Sequence, residues 1–148
     1  MAVELVEQNS DELVEAINKL IPQLSSSTPP RSSEFVDKLI AQEGVYLFIY
    51  RPDEADADGK RPILGMLSLA TFDIPTGKRA WIEDVVVDEA ARGQGAGGQL
   101  VDAAIEHATA IAAKSVDLTS RPTREAANRL YRSHGFAMRE TNVYRYQD

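Results

Sequence analysis

Apolar and polar positions follow two rhythms along the chain. Residues 3–6 read as a short strand. Leu13, Val14, Ile17, Leu20, Ile21 and Leu24 recur at steps of one, three and four, which gathers them on one helical face. Asp11 is placed to cap that helix. Residues 25–30 form a polar, proline-bearing loop. Ser33 is placed to cap a second, short helix with Phe35, Val36, Leu39 and Ile40 inward and Gly44 just past its end. Residues 45–50 and 63–70 are strands joined by a polar loop, the pattern of a hairpin. A turn at Pro75-Thr76-Gly77-Lys78 leads to a further strand over 80–87, so these three strands predict an antiparallel meander. Leu100, Val101, Ala104, Ile105, Ala108, Ile111 and Ala112 predict a long amphipathic helix, with His107 off its apolar face and at the surface. A strand over 116–119 follows. Strand, helix and strand make a right-handed crossover, so these two strands are expected to be parallel. Thr123 is placed to cap a last helix with Ala126, Ala127, Leu130 and Tyr131 inward and Gly135 closing it. Residues 136–140 and 142–146 then predict a final strand pair. The chain reads as one α/β (α+β) domain over 1–148, without internal repeats.

Composition narrows the classes. The 148 residues are 43% hydrophobic and 26% charged, which suits a globular domain. No apolar run approaches the ~18–20 residues of a membrane span. The opening MAVELVEQNSDELVEAI carries early acids and no basic stretch, so it is not read as a secretory signal. There is no cysteine, which excludes disulfides, cysteine metal sites and a thiolate nucleophile. The cytoplasm is the expected location. Net charge is −7, which disfavours nucleic acid as a partner. The acids crowd residues 1–60, twelve against five bases, whereas residues 121–148 carry six arginines and three acids. The acidic half would favour a cationic substrate and the arginine-rich end a phosphorylated ligand, although single surface charges are usually no more than solvated. Residues 54–65 resemble a calcium loop only in part: Glu54 opens it and Gly65 stands where a bidentate Glu belongs, so no metal site is expected.

The chemistry concentrates between Trp81 and Gly98. Val85-Val86-Val87 is a continuous β-branched run, as in a strand covered on both faces. Arg92-Gly93-Gln94-Gly95-Ala96-Gly97-Gly98 follows and opens the long helix. Glycines let a backbone approach a ligand closely. The helix start offers free N–H groups and the positive end of the dipole, which suits a phosphate. Gly93-x-Gly95-x-x-Gly98 with Asp117 also satisfies a dinucleotide fingerprint. Against a nicotinamide enzyme, about eighty residues of another pattern precede the motif, and too few follow it for further parallel βα units.

Arg92-x-x-Gly95-x-Gly97 after a strand, with Asn128-x-x-Tyr131-x-x-x-Gly135-Phe136 about thirty residues on, resembles the GCN5-related N-acetyltransferase (GNAT) superfamily. The order of elements matches that family over essentially the whole chain. The resemblance implies a mixed central sheet of about six to seven strands flanked by four helices, with the fourth and fifth strands splayed into a wedge. It implies acetyl-CoA as co-substrate. The pantetheine arm would pair with the backbone of Val85, Val86 and Val87, and the pyrophosphate would sit on the N–H groups of Arg92, Gly93, Gln94, Gly95, Ala96, Gly97 and Gly98. A larger aliphatic residue often stands at the position of Ala96; because the backbone holds the phosphate, no loss of binding is expected. Arg92 would add charge or pack on the loop. Asn128 would bond the pantetheine arm, or else tie helix to strand.

Tyr131 matches the family's usual general acid, which protonates the leaving thiolate; a phenol is neutral and can donate at pH 7. A core tyrosine is the plainer alternative. Glu83 and Asp84 are candidates for the base that deprotonates the amine, directly or through water. Being adjacent, they are expected on opposite sides of the sheet, Glu83 with Trp81, Val85 and Val87, and Asp84 with Ile82 and Val86. Pairing with Arg121 or Arg124 is the structural alternative. Glucosamine-6-phosphate N-acetyltransferases also carry an acidic pair here, but the end of this chain does not resemble theirs closely. With no cysteine to hold an acetyl group, direct transfer to a primary amine, of a small molecule or a peptide, is expected. A non-catalytic acyl-CoA-binding module is the competing class. Family members are often dimers, which makes a homodimer an open assembly.

Overall fold

The computed structural model describes residues 2–147. Its elements run β1 (Val3–Leu5), α1 (Asp11–Leu20), α2 (Ser33–Ala41), β2 (Val45–Tyr50), β3 (Gly65–Ile74), β4 (Gly77–Val87), α3 (Ala96–Ala110), β5 (Ser115–Asp117) and α4 (Glu125–Ser133). The five strands form one sheet in sequence order, β1 to β4 antiparallel and β5 parallel to β4. The meander and the crossover are both as the pattern predicts.

Caps set the helix starts. Ser10, rather than Asp11, accepts the Leu13 N–H on its Oγ at 3.1 Å, and Ser32, rather than Ser33, accepts from Phe35 at 3.1 Å. Each leaves an acidic residue in the first turn, where it complements the helix dipole. Thr123 caps nothing; α4 begins after Arg124 with no side-chain cap.

The sheet separates two cores. On one face Leu67, Leu69, Ala80 and Ile82 meet Leu100, Val101 and Ala104 of α3. On the other, Leu47, Ile49, Met66 and Val86 meet Leu13, Ile17 and Leu20 of α1 and Val36 of α2. Arg51 pins α1 to the sheet: its guanidinium holds both carboxylate oxygens of Glu12, at 2.7 and 2.8 Å, and lies 3.0 Å from Glu4. His107 is not a solvated surface residue. Its ring packs against Tyr46 at 4.2 Å between centroids and against Phe48 at 5.8 Å, with Nε2 buried and unpartnered.

The expected sixth and seventh strands do not form. Phe136 is half-buried, its N–H bonded to the Tyr131 carbonyl. Residues 137–147 are exposed and make no backbone hydrogen bond among the described residues. Alternation alone gave that segment its strand pattern, and no edge of the sheet pairs with it here.

Candidate active site

β4 is laddered to β3 from end to end with one interruption, but only briefly to β5. The parallel pairs are Arg79 with Ser115, Ala80 with Val116 and Trp81 with Asp117. Past Trp81 the pairing ends, and among the described residues no strand lies against the β5-side edge of residues 82–87. This is the expected wedge: one open edge of backbone donors and acceptors, suited to an extended amide-bearing ligand.

Within that edge sits a bulge. Met66 faces Val86 and Ser68 faces Glu83, so Asp84 and Val85 together stand opposite Leu67. Asp84 takes φ +50, the left-handed region that Asp tolerates better than most residues. The extra residue reverses the alternation. Ile82 packs in the α3-side core and Val86 in the α1/α2-side core, whereas Val85 and Val87 pack on the α3 side. The expected parity therefore fails beyond Glu83: Asp84 does not share a face with both Ile82 and Val86. Glu83 and Asp84 are both exposed, and neither forms an ion pair among the described residues, so the pairing with Arg121 or Arg124 is not made.

The glycine run divides by role. Gly93 and Gly95 have φ +83 and +77, and a side chain at Gly93 would point into open space. Left-handed residues alternating with ordinary ones turn successive N–H groups to one side, a concave anion cradle. Gly95 is the N-cap of α3, whose first helical bond runs from Gln99 to Gly95, so the amides of 96–98 have no acceptor within the helix. Gly97 and Gly98 do something else. A Cβ on Gly97 would lie 3.1 Å from Leu130 Cδ2, and one on Gly98 would lie 2.8 Å from His134 Nε2. They let α4 dock onto the first turn of α3, a contact fastened by His134 Nδ1 and Asp102 Oδ1 at 2.7 Å. Ala96 is buried, and Arg92 is exposed and forms an ion pair with Glu89 at 3.9 Å.

The docking brings α4 towards the end of β4: a Cβ on Gly97 would meet Val87 Cγ2 at 3.9 Å as well as Leu130 Cδ2. The next residue, Tyr131, is half-buried, its ring 6.0 Å from Phe136 and edge-on to it. Burial pushes the Tyr131 phenol above its ordinary pKa, with Arg124 pulling the other way. The phenol is therefore protonated at neutral pH. Asn128 donates from Nδ2 to the Arg121 carbonyl at 3.0 Å, a tie between α4 and the segment after β5.

Asp88 escaped the sequence reading. It is the single buried charged side chain among the described residues, at 6% exposure. One carboxylate oxygen accepts from Ala90 N at 2.9 Å and caps the 3-10 turn at 89–91 that leads into the glycine run; the other accepts from Gln23 Nε2 at 3.1 Å, with Lys19 Nζ 3.6 Å away. The Ala90 N–H bond and then the Gln23 and Lys19 contacts hold its pKa below the ordinary carboxylate value, against the opposing effect of burial. Its visible signal was an Asp two residues before a short alanine turn, the local pattern of a cap. Because the folded pKa is depressed, the stabilisation is complete above the unfolded value of about 4 and is lost as pH falls through the lower folded value. Asp88→Asn should therefore flatten the fall in urea-unfolding midpoint between about pH 5 and pH 2; an unchanged acid slope would show that this carboxylate carries none of it.

The loop at 54–60 closes on itself: Asp56 Oδ1 accepts from the N–H groups of Asp58 and Lys60, each at 2.9 Å. Among the described residues no cluster of His, Asp or Glu could hold a metal ion, and no helix is long and apolar enough to cross a membrane. An open depression of about 600 Å³ lined by Glu4, Glu12, Arg51 and Lys60 includes no residue of β4, the glycine run or α4, and its Arg51 is already paired.

Compared with known families, residues 12–136 match the sequence model of the Acetyltransferase (GNAT) family. The chain belongs to this family. Its solved relatives agree with that. A protein of Agrobacterium tumefaciens str. C58, provisionally designated an acetyltransferase, is 26% identical with a TM-score of 0.78, over 97% of this chain and 99% of that one. An aminoglycoside acetyltransferase from an uncultured soil metagenomic sample, solved with trehalose, is 22% identical with a TM-score of 0.81, over 99% and 94%. The enzyme AAC(6')-Iy, solved with a bisubstrate analogue of CoA and acetylneamine, is 16% identical with a TM-score of 0.75, over 100% and 99%. None of the curated proteins compared matches the chain. GNAT enzymes use acetyl-CoA, and the open β4 edge and the glycine cradle of this GNAT chain fit its amide-bearing arm and its pyrophosphate respectively. The remaining reading of Gly93-x-Gly95-x-x-Gly98, a nicotinamide site in a doubly wound sheet, is excluded by the antiparallel β1–β4 order.

Proposed function

We propose that this GNAT chain transfers an acetyl group from acetyl-CoA directly to a primary amine. The observation that supports the reading is the approach of Val87 of β4 and Leu130 of α4 to the Cβ position of Gly97, with Val87 and Tyr131 packed against one core, which favours a site shared by the strand edge, the glycine run and the helix bearing Tyr131. The edge of residues 82–87 would pair with the pantetheine amides, as Val85, Val86 and Val87 were expected to do. The N–H groups of residues 93–98 would hold the pyrophosphate, with Arg92, exposed beside Glu89, adding charge. Asn128 in this reading acts through its Arg121 tie, which orients the start of α4.

The amine attacks the thioester carbon, the C–S bond breaks, and the sulfur needs a proton. Tyr131 supplies it or hydrogen-bonds the thiolate, since burial keeps its phenol protonated. The ammonium proton must leave first. Glu83 and Asp84, exposed and without ion-pair partners, can accept it directly or through water. With no cysteine in the chain, a protein thioester is not available.

The test is thiol release from acetyl-CoA across a panel of amines: aminoglycosides, polyamines, amino acids, amino sugars and peptide N-termini. Aminoglycosides enter because a structural neighbour is an aminoglycoside acetyltransferase. The cysteine-free chain adds no background. Release with one amine class establishes the reaction and its acceptor class; silence across the panel, with acetyl-CoA bound in a thermal-shift assay, points instead to a non-catalytic acyl-CoA-binding module.

A further inference from the structure

α4 carries Tyr131 yet is weakly anchored by burial. None of its residues is fully buried, and no side chain caps its start. Ties at its two ends hold it instead. Near the start, Asn128 Nδ2 donates to the Arg121 carbonyl at 3.0 Å. At the other end, His134 meets Asp102 of α3 at 2.7 Å. Tyr131 lies three residues from each, a spacing that keeps all three near one side of the helix.

The His134 end is shaped for its side chain. A carboxylate only accepts, so Nδ1 carries the proton of this bond and Asp102 Oδ1 accepts it. Nε2 then faces the first turn of α3, 2.8 Å from the Cβ position of Gly98. Gly98 is helical and has no positive φ, so its missing side chain serves space rather than backbone conformation. Asp102 stands four residues on, one turn along the same face of α3, and the imidazole bridges the two. The side chains of His134 and Asp102 are 24% and 64% exposed. A pair this open adds little to global stability, so its main effect is on geometry.

We propose that Asp102 and His134 are positioning residues for Tyr131. The carboxylate keeps the imidazole in the gap over Gly98, and the seated ring fixes where α4 presents the phenol. This rests on the acetyl-transfer reading, in which Tyr131 protonates the departing sulfur; both residues act through Tyr131 rather than on the substrate. Without Asp102 the ring can leave the gap. α4 then pivots about its Asn128 tie, and Tyr131 moves with it. A shift of about 1 Å at a reacting group can cost on the order of 100-fold in rate. Acetyl-CoA binding should be spared, because the backbone N–H groups of the glycine run hold the pyrophosphate in this reading.

The test is kinetic, on the amine that the panel identifies. Asp102→Ala should lower kcat about tenfold or more and leave the KM for acetyl-CoA within about threefold. Asp102→Asn keeps an accepting oxygen and should hold kcat within about threefold of the parent. Alanine is the better helix former and the position is exposed, so the Ala variant should fold. The deciding measurement is the cycle with Tyr131→Phe: in a chain already lacking the phenol, Asp102→Ala should lower kcat by less than about twofold. An equal loss in both backgrounds would be a general structural effect and overturns the proposal, as does undiminished turnover in Asp102→Ala. Gly98→Ala crowds Nε2 and should lower kcat likewise, with the acetyl-CoA dissociation constant within about threefold by calorimetry; an equal loss of affinity would assign this glycine to the ligand and overturn the role given to the gap. Amide hydrogen exchange needs no substrate: residues 128–136 should exchange faster in Asp102→Ala, with the sheet unchanged, and an unaltered α4 counts against the proposal. A parent chain that turns over no amine removes the acetyl-transfer reading and this proposal together. A parent slowed by Tyr131→Phe but not by Asp102→Ala removes this proposal alone.

Discussion

Tyr131→Phe should lower kcat by about 100-fold or more while leaving the KM for acetyl-CoA within roughly threefold, the signature of a lost proton donor rather than a lost binding contact. The substitution removes one oxygen and keeps the ring. That ring packs edge-on against Phe136 and contributes to the α3-side core, so the fold should be preserved. A factor of 100 corresponds to about 2.7 kcal/mol of transition-state stabilisation, within reach of one well-placed donor. The pH profile separates the two roles that a phenol could play. With burial raising its pKa, the donor stays protonated through the neutral range and loses its proton only at pH above that of an ordinary tyrosine. The parent enzyme should therefore keep its activity up to that alkaline limit, and the Phe variant should lack the limb. Equal turnover in the two proteins would make Tyr131 a packing residue.

Gly95→Val should weaken acetyl-CoA binding by about tenfold or more, read by calorimetry or as KM, with kcat at saturation changed much less. Gly95 holds φ +77 at the first turn of α3. A β-branched residue in that region costs at least ~1–2 kcal/mol. The chain relieves the strain by rotating the peptide, which turns the N–H groups of residues 96–98 away from the cradle. Space is not the issue, since the nearest atom to a Cβ there is Gln99 Nε2 at 3.9 Å. Unchanged affinity would place the phosphates elsewhere than on this turn.

The sequence carried much of this. The β-branched run before the glycines, the apolar face of α3 and the short strand after it predict a crossover, and the register of β4 with β5 is parallel as expected. The motif residues from Arg92 to Gly98 fall on one loop and helix start, and Tyr131 on the helix that touches it. What stayed hidden depends on contacts that no periodicity records. The bulge at Asp84 is visible only once β3 supplies the register. Asp88 reads as one more surface acid until Lys19 and Gln23 come to it from a helix end some sixty-five residues earlier in the chain. His107 lies off the apolar stripe of its helix, yet Tyr46 and Phe48 of β2 reach its ring. The end of the chain erred in the opposite direction: its alternation is a real strand pattern, but pairing needs an edge, and pattern alone does not say whose.

The bulge gives β4 two hydrophobic codes within one strand. Up to Ile82, the even positions belong to the α3 side; after Asp84 the odd ones do. A combinatorial library or a redesign that assigned inward and outward positions by a single alternation over Gly77–Val87 would be correct for the first half and inverted for the second, placing charge at Val85 and Val87 in the belief that they face away from α3. Deleting one residue between Glu83 and Val85 would restore a regular ladder, and the same deletion would slide Val87, Asp88 and the glycine cradle one step along the strand, out of reach of Leu130. In that sense one irregular residue sets the reading frame for everything the site is built from.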